Sequence, residues 1–507
     1  MAAFALLLLG AVVPGPGRSA VPTRPSLPNI ILILTDDLDV NLHSLLYMPK
    51  LKALLSDQGT TFANHFVPVS LCCPSRATIL RGQYSHNHHI YSNFPPDGGF
   101  QMFQDYNLDR ATIATALAAA GYRTVLLGKY LNGYPLGEAT NYVPPGWSEW
   151  YVPSDNDAYG EFNYQLNENG KLVDYGGSPG DYLTDVLAAK AAGFIRRAQT
   201  SGQPYFMYLA SYAPHAPATP APRHQDLFPD LAAPRPPSFD EGAATLRDKP
   251  AQFRGVPPLA AKDVAKIDAL YRRRIQSLQA VDDLIARVMF ALQGSGQLDH
   301  TYVVFTSDNG FHMGEHRFRP GKYTAYEEDV HVPLVVRGPG VPAGRVRDDL
   351  TSSVDLAPTF ADLAGAALAV RPDGRSLVPL FAGAPAPADW RQAVLLEQRP
   401  FPQKSVPTTP ENAGVLEPPD LGDKAGLGSF PPVTFRGVRT KTTKYVEYAS
   451  GEREYYDLAA DPYELHNLAK KADRAYLGKL SQVLSRLQAC AGKSCRAAES
   501  TPLPVPP

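Results

Sequence analysis

The chain has 507 residues, 44% of them hydrophobic and 19% charged, with a formal net charge of −2. That balance excludes a disordered or coiled-coil chain, and the length implies two domains or one enlarged α/β domain with an appendage. Near-neutral charge without a long basic run excludes a nucleic-acid binder on electrostatic grounds.

The apolar run from Ala2 to Val13 has the length of a signal-peptide core and is too short to span a bilayer as a helix. Pro14 and Pro16 interrupt it, and Ser19-Ala20 offers small residues for cleavage, although a positive n-region is missing. A buried first helix is the competing reading. No later segment is long and apolar enough to cross a bilayer, so no membrane span is expected once a leader over 1–20 is removed. An exported protein follows: secreted or periplasmic, or delivered to a lysosome-type compartment in a eukaryote.

"NIILILT", Asn29 to Thr35, is a continuous Ile-rich run that fits a strand buried on both faces of a parallel sheet. "MPKLKALLSDQGT" has helical spacing with Gly59 to end it. "TIATALAAAGYRTVLLGKY", "YLTDVLAAKAAGFIRRA" with "PYFMYLASY", and "KIDALYRRRIQSLQAVDDLIARVMFALQ" with "TYVVFTSDNG" each repeat a helix followed by a strand. "VPLVVRGPG" supplies a further strand. Alternating helices and strands predict a doubly wound α/β fold with a mostly parallel sheet.

Between Pro214 and Ala260 lies a proline-rich stretch of little periodicity, a length of loop that compact domains keep for function. Past about residue 385 the pattern changes. "FRGVRTKTTKYVEYASGEREYYDL" reads as two strands joined at Ser450-Gly451, followed by a helix from about Asp473 to Gln488. The expected division is a catalytic domain over 27–385, a smaller α+β domain with an antiparallel sheet over 386–495, and a tail over 496–507.

Ligands of open α/β sheets gather at the carboxyl ends of the strands. Asp36 and Asp37 follow the first strand, Asp308 and Asn309 follow "TYVVFTS", Lys129 follows "YRTVLL", and His215 follows "PYFMYLASY". Three carboxylates and an amide cannot crowd one rim without a cation, and oxygen-only ligands favour calcium, or magnesium, over zinc. Each Asp pair taken alone is equally a turn or helix cap.

The chain has four cysteines. Cys490 and Cys495 have the spacing of a small disulfide loop, with a metal pair as the competing reading. Cys72 and Cys73 stand in "SLCCPSRATILRG", where a vicinal bridge would strain the peptide. Pro74 suits the first turn of a helix, and Arg76, four residues after Cys72, can face the same rim. A helix N-terminus beside an arginine and a cation makes an anion site.

"CCPSRATILRG" resembles the signature of the type I sulfatases, Cys-x-Pro-Ser-Arg. "GYRTVLLGKY" resembles that family's second signature, "TDD" and "SDNG" its metal-binding ends, and "DLAADPYELHNLA" its closing motif. The five motifs occur in the family's order across nearly the whole mature chain. The stretches "SLCCPSRATILRGQYSHNHH", "GKYLN", "PPGWSEWY", "DYLTDVLA" and "CAGKSC" are most similar to the N-acetylglucosamine-6-sulfatase branch of glycosaminoglycan breakdown.

The resemblance implies an alkaline-phosphatase-like fold and hydrolysis of sulfate esters, with 6-O-sulfate on an N-acetylglucosamine-type sugar or a related sulfated carbohydrate as substrate. It implies that Cys72 is converted to formylglycine by a separate maturation enzyme. The hydrated aldehyde would attack the sulfate sulfur and then expel inorganic sulfate. Asp36, Asp37, Asp308 and Asn309, with modified Cys72, match the family's calcium ligands. Arg76 would hold the hydrate, Lys129 and Lys322 would neutralise sulfate oxygens, and His215 would be a general acid.

Three features depart from the family pattern or stay unranked. Leu131, followed by Asn132, occupies a position where many members carry histidine. Arg81 replaces the usual Thr before Gly82, read as a surface-tolerant change. His86, His88 and His89 are candidate substrate contacts without a ranking among them. Asp282 and Asp283 are read as helix packing or surface groups, and His312 and His316 as residues behind the site or at the surface. The rival functions are a phosphate or phosphonate monoester hydrolase of the same superfamily and an inactive carbohydrate-binding relative. A thiol redox protein built on Cys72 and Cys73 leaves the acidic strand ends unaccounted for.

Overall fold

The computed structural model describes residues 27–135, 141–154, 157–399 and 433–503, so the leader expected over 1–20 lies outside the described residues. Ten strands build the main sheet: β1 (Asn29–Thr35), β2 (Thr60–Phe66), β3 (Arg123–Gly128), β4 (Glu149–Pro153), β5 (Gln165–Glu168), β6 (Lys171–Asp174), β7 (Tyr205–Ala210), β8 (Thr301–Ser307), β9 (Leu334–Arg337) and β10 (Arg345–Ser352). Their spatial order is β10-β2-β9-β8-β1-β7-β3-β4-β5-β6. The centre, β8-β1-β7-β3-β4, is parallel. β9 runs antiparallel to both β8 and β2, as do β5 and β6 to their neighbours, so the sheet is mixed outside its centre.

β1 shows why the centre reads as an unbroken apolar run. Ile31 and Ile33 enter one core with the helices Leu183–Ser201 and Ala261–Gly294. Ile30, Leu32 and Leu34 enter the opposite core with the helices Cys72–Arg81, Ile113–Ala119 and Leu356–Leu363. Successive side chains point to opposite faces, and with both faces covered the positions from Ile30 to Leu34 are all apolar.

A second sheet, in the order β11-β12-β13-β14, is antiparallel: β11 (Val394–Gln398), β12 (Phe435–Arg439), β13 (Thr443–Tyr448) and β14 (Arg453–Asp457). Leu395, Val438 and Tyr445 on one face meet Leu477, Leu480 and Leu484 of the helix Arg474–Gln488, whose N-cap Asp473 accepts a hydrogen bond from the Tyr476 amide. Leu396, Val446 and Tyr456 on the other face pack against Phe66, Phe318 and Val330 of the main body.

Several expectations change. The stretch read as two strands forms three, because Thr440–Thr443 makes a turn closed by its own hydroxyls and lacks the glycine or asparagine that would have marked it. The helix expected after Met48 is a single α turn, Pro49–Leu51, that widens into a π turn over Lys52–Ser56. Residues 493–499 form a short helix, and its Glu499 is fully buried between Arg375, Arg391 and Tyr84. Cys490 and Cys495 are joined as a disulfide, as their spacing suggested. Arg81 is not a surface residue: it is 6% exposed and donates to the carbonyls of Leu108 and Ala111.

Candidate active site

β8, β1, β7 and β3 are consecutive parallel neighbours, so their carboxyl ends share one edge. Thr35 pairs with Ser307, which sets Asp36 and Asp37 beside Asp308 and Asn309. Gly128 pairs with Ala210, which brings Lys129 to the loop that carries His215. A side chain at Gly128 would meet the Ala210 carbonyl at 1.8 Å, so only glycine lets β3 and β7 approach this closely there.

The Cys72–Arg81 helix points its first turn at this edge. Leu71 is extended and the Ser75 amide donates to its carbonyl. Cys72 Sγ lies 3.4 Å from Asp36 Oδ1, 4.0 Å from Asp37 Oδ1 and 2.9 Å from Lys322 Nζ. Asp36, Asp37, Cys72 and His215 present ligand atoms all within 4.8 Å of one another.

The cations are as buried as the acids. Arg76 Nε donates to Asp308 Oδ2 at 2.7 Å and Nη1 to the Lys129 carbonyl at 2.9 Å, while Nη2 stands 3.6 Å from Asp36 Oδ2. Lys129 Nζ is 2.5 Å from Asp36 Oδ2, with the Tyr159 ring 4.9 Å away, and Lys322 Nζ is 2.8 Å from Asp37 Oδ1. Burial alone would raise the Asp36 carboxyl, but Lys129, His215, Arg76 and Lys322 hold it well below the usual carboxylate range. Asp308 moves the other way: burial outweighs the pull of Arg76, and Asp36 adds to the rise.

Asp36, Asp37, Cys72, Arg76, Lys129, His215, Asp308, Asn309 and Lys322 are gathered here. Asp308 Oδ1 accepts from the Asp37 and Asn309 amides, and Asn309 Nδ2 donates to Asp37 Oδ1 at 2.6 Å. Asp37 Oδ2 and Asn309 Oδ1 are buried oxygens without a hydrogen-bond partner. Three buried carboxylates with two such oxygens form a donor set that fits a hard divalent cation.

His215 Nδ1 is 2.7 Å from the Ala216 carbonyl. A carbonyl only accepts, so Nδ1 carries a proton, and Nε2, 3.6 Å from Asp37 Oδ2, is the nitrogen that can exchange one. Leu131 is 3% exposed and packs in the apolar core.

The three ring-side histidines do not act alike. His86 is tied to Glu397 and to the Cys490 carbonyl, His88 is buried on Thr78, and His89 is exposed beside Tyr91. Asp282 accepts the amides of Lys50 and Leu51, and Asp283 pairs with Lys50 and Arg223, both away from the site. His312 is buried on Asp329, which also accepts from Thr324 two residues beyond Lys322. Ser70 bonds the Thr324 carbonyl and so joins the Lys322 loop to the segment preceding Cys72.

Sequence reasoning missed Asn93, whose Oδ1 accepts the Cys73 amide, and Arg274. The signal for Arg274 was available: Ile267, Leu270, Tyr271, Arg274, Ile275 and Leu278 are one helical face, and a charge among them needs a partner.

A family model described as Sulfatase matches residues 28–366. N-acetylglucosamine-6-sulfatase of Homo sapiens is 37% identical over 511 residues, covering 97% of this chain and 90% of the relative. The same protein of Capra hircus is 37% identical over 486 residues, covering 92% of this chain and 85% of the relative. Among solved structures, BT4656 in complex with its substrate D-glucosamine-2-N,6-O-disulfate matches with a TM-score of 0.71 at 25% identity, covering 94% of this chain and all of that one. Phosphonate monoester hydrolase of Agrobacterium radiobacter matches with a TM-score of 0.68 at 26% identity, covering 90% of this chain and 95% of that one.

Proposed function

The chain belongs to the sulfatase family and is a sulfuric ester hydrolase, and on that premise we propose that it removes 6-O-sulfate from an N-acetylglucosamine-type residue of a sulfated glycan. The observation that carries the chemical part is the position of Cys72, at the first turn of a buried helix and within 4.0 Å of Asp36, Asp37 and Lys322. The choice of sugar rests on the likeness to the N-acetylglucosamine-6-sulfatases and to a structure holding a 6-O-sulfated glucosamine.

Cys72 is the residue we assign to conversion into formylglycine, whose hydrate supplies a nucleophile with a second hydroxyl to release the sulfate. Asp36, Asp37, Asp308 and Asn309 are the residues we assign to a calcium ion, which would polarise a sulfate oxygen. The protein's own groups divide the remaining work. Arg76 is fixed by Asp308 and the Lys129 carbonyl and so presents its guanidinium without reorganisation. Lys129 and Lys322 bring two ammonium groups to the sulfate oxygens in a site nearly closed to water, where charge is felt strongly. His215, with its Nδ1 proton held by Ala216, would act as the imidazolium, giving its Nε2 proton to the leaving sugar oxygen and returning to the neutral ring.

We also propose export and maturation outside the reducing cytoplasm, supported by the Cys490–Cys495 disulfide. A formylglycine-generating enzyme is then a required partner. The test compares turnover of N-acetylglucosamine 6-sulfate, an aryl sulfate, an aryl phosphate and a phosphonate monoester by the purified mature enzyme. Release of sulfate from the sugar is expected to dominate. A preference for the phosphonate, as the Agrobacterium radiobacter likeness would favour, overturns the reading.

A further inference from the structure

Arg274 sits at the middle of the 34-residue helix Ala261–Gly294 and is 1% exposed. Its Nη2 donates to the Asp37 carbonyl and its Nη1 to the Pro214 carbonyl at 3.1 Å. Its guanidinium carbon lies 4.5 Å from the centre of the Phe311 ring. Asp37 follows β1, Pro214 precedes His215 after β7, and Phe311 stands two residues past Asn309 after β8. One side chain therefore touches three of the strand-end loops that build the site.

Asp37 also has φ 64, a left-handed conformation that a residue with a side chain holds only when its surroundings over-determine it. Its amide is held by Asp308 Oδ1 at 3.2 Å and its carbonyl by Arg274. With both backbone groups fixed, the Asp37 carboxylate is aimed at Cys72, Lys322 and His215.

We infer that Arg274 is a positioning residue of the active site, holding Asp37 in its left-handed conformation and fixing the His215 loop relative to it. The inference rests on the function proposed above, in which Asp37 binds the cation and His215 faces the leaving oxygen. The planar fork of arginine reaches two carbonyls at once, whereas the single ammonium of lysine does not reproduce that geometry.

The experiment compares the full mature chain with Arg274→Lys, Arg274→Ala and Ile275→Ala, the last removing a fully buried core group one residue away. Calcium binding is read by titration calorimetry, kcat and KM on the sulfated sugar, and Tm by calorimetry. Arg274→Lys is expected to lower calcium affinity and kcat by about tenfold or more with KM nearly unchanged, the size found when groups behind a ligand are altered. Added guanidinium is expected to restore part of the kcat of Arg274→Ala. Ile275→Ala is expected to lower Tm while calcium affinity and kcat stay near wild type. Wild-type calcium affinity and kcat in Arg274→Lys, or equal losses in Ile275→Ala, overturn the inference alone. A wild-type protein that neither binds calcium nor cleaves sulfate esters overturns the proposed function and this inference with it. Should Arg274→Ala fail to fold, Arg274→Lys against Ile275→Ala still decides.

Discussion

Lys322 Nζ lies 2.9 Å from Cys72 Sγ and 2.8 Å from Asp37 Oδ1, although 250 residues separate the lysine from the cysteine. One ammonium thus bridges the residue assigned to the nucleophile and a residue assigned to the cation. Replacing Lys322 with Met leaves the shape and removes the charge. A fall in kcat of about 10²–10³ is expected, the usual effect of deleting one electrostatic stabiliser of a transition state. The same loss is expected for Lys129→Met, whose ammonium serves Asp36 instead. Steady-state kinetics on an aryl sulfate check both, and a change confined to KM counts against the assigned role.

The two adjacent cysteines should behave as chemical opposites. Cys73 is fully buried, and burial pushes its thiol up to about 12. It should remain an unreactive thiol, and Cys73→Ser should keep most of the activity. Cys72→Ala should abolish turnover. In active enzyme the peptide carrying Cys72 should be lighter by about 18 Da than its thiol form, the difference between –CH2SH and –CHO at the nucleophile position. An unmodified thiol in fully active protein defeats the mechanism.

Three carboxylates at 0% exposure should make the fold responsive to a cation. Calcium at about 100 times its Kd should raise stability by about 2.7 kcal/mol if it binds the folded chain alone. Melting curves after chelation and re-addition measure this. Magnesium giving the larger shift would reassign the ion.

Glu161 offers a pH test away from the site. It is 2% exposed and accepts the Thr184 amide and hydroxyl, yet burial pushes its carboxyl up to about 8. The folded state therefore binds a proton that the unfolded chain releases near the ordinary glutamate value of about 4.3, so this residue costs stability progressively as pH rises between those values. Glu161→Gln should raise Tm at pH 8 and leave it nearly unchanged at pH 4. A shift of equal size at both pH values would show that charge is not the cause.

Removal of the Cys490–Cys495 bridge, as the double Ser variant, should cost about 2 kcal/mol, because the closed loop is short and little chain entropy is at stake. Activity at 25 °C should persist, since the bridge touches the site only indirectly, through the Cys490 carbonyl that accepts from His86 and Asn87. Loss of activity without loss of Tm would contradict this separation.

Local sequence determined the central strands and the rim residues. An apolar run such as Asn29–Thr35 satisfies only a strand covered on both faces, and Asp36 and Asp37 follow it directly in the chain. The same local reading located Lys129, His215, Asp308 and Asn309, because each stands where a parallel strand stops. Lys322 had no such signal and was found by resemblance alone. Its loop is set by Asp329, Thr324 and Ser70, contacts between segments far apart in sequence. β5 and β6, at one end of the sheet, were missed because short, partly exposed strands carry little apolar periodicity. The three-stranded course of residues 435–457 was missed because its first turn is made by threonine hydroxyls. The tertiary structure alone decided which buried charge serves which acid: Arg76 for Asp308, Lys129 for Asp36, Lys322 for Asp37 and Arg274 for the Asp37 carbonyl. Such pairings depend on distances of a few ångströms between strand ends and helices, and no spacing along the chain encodes them.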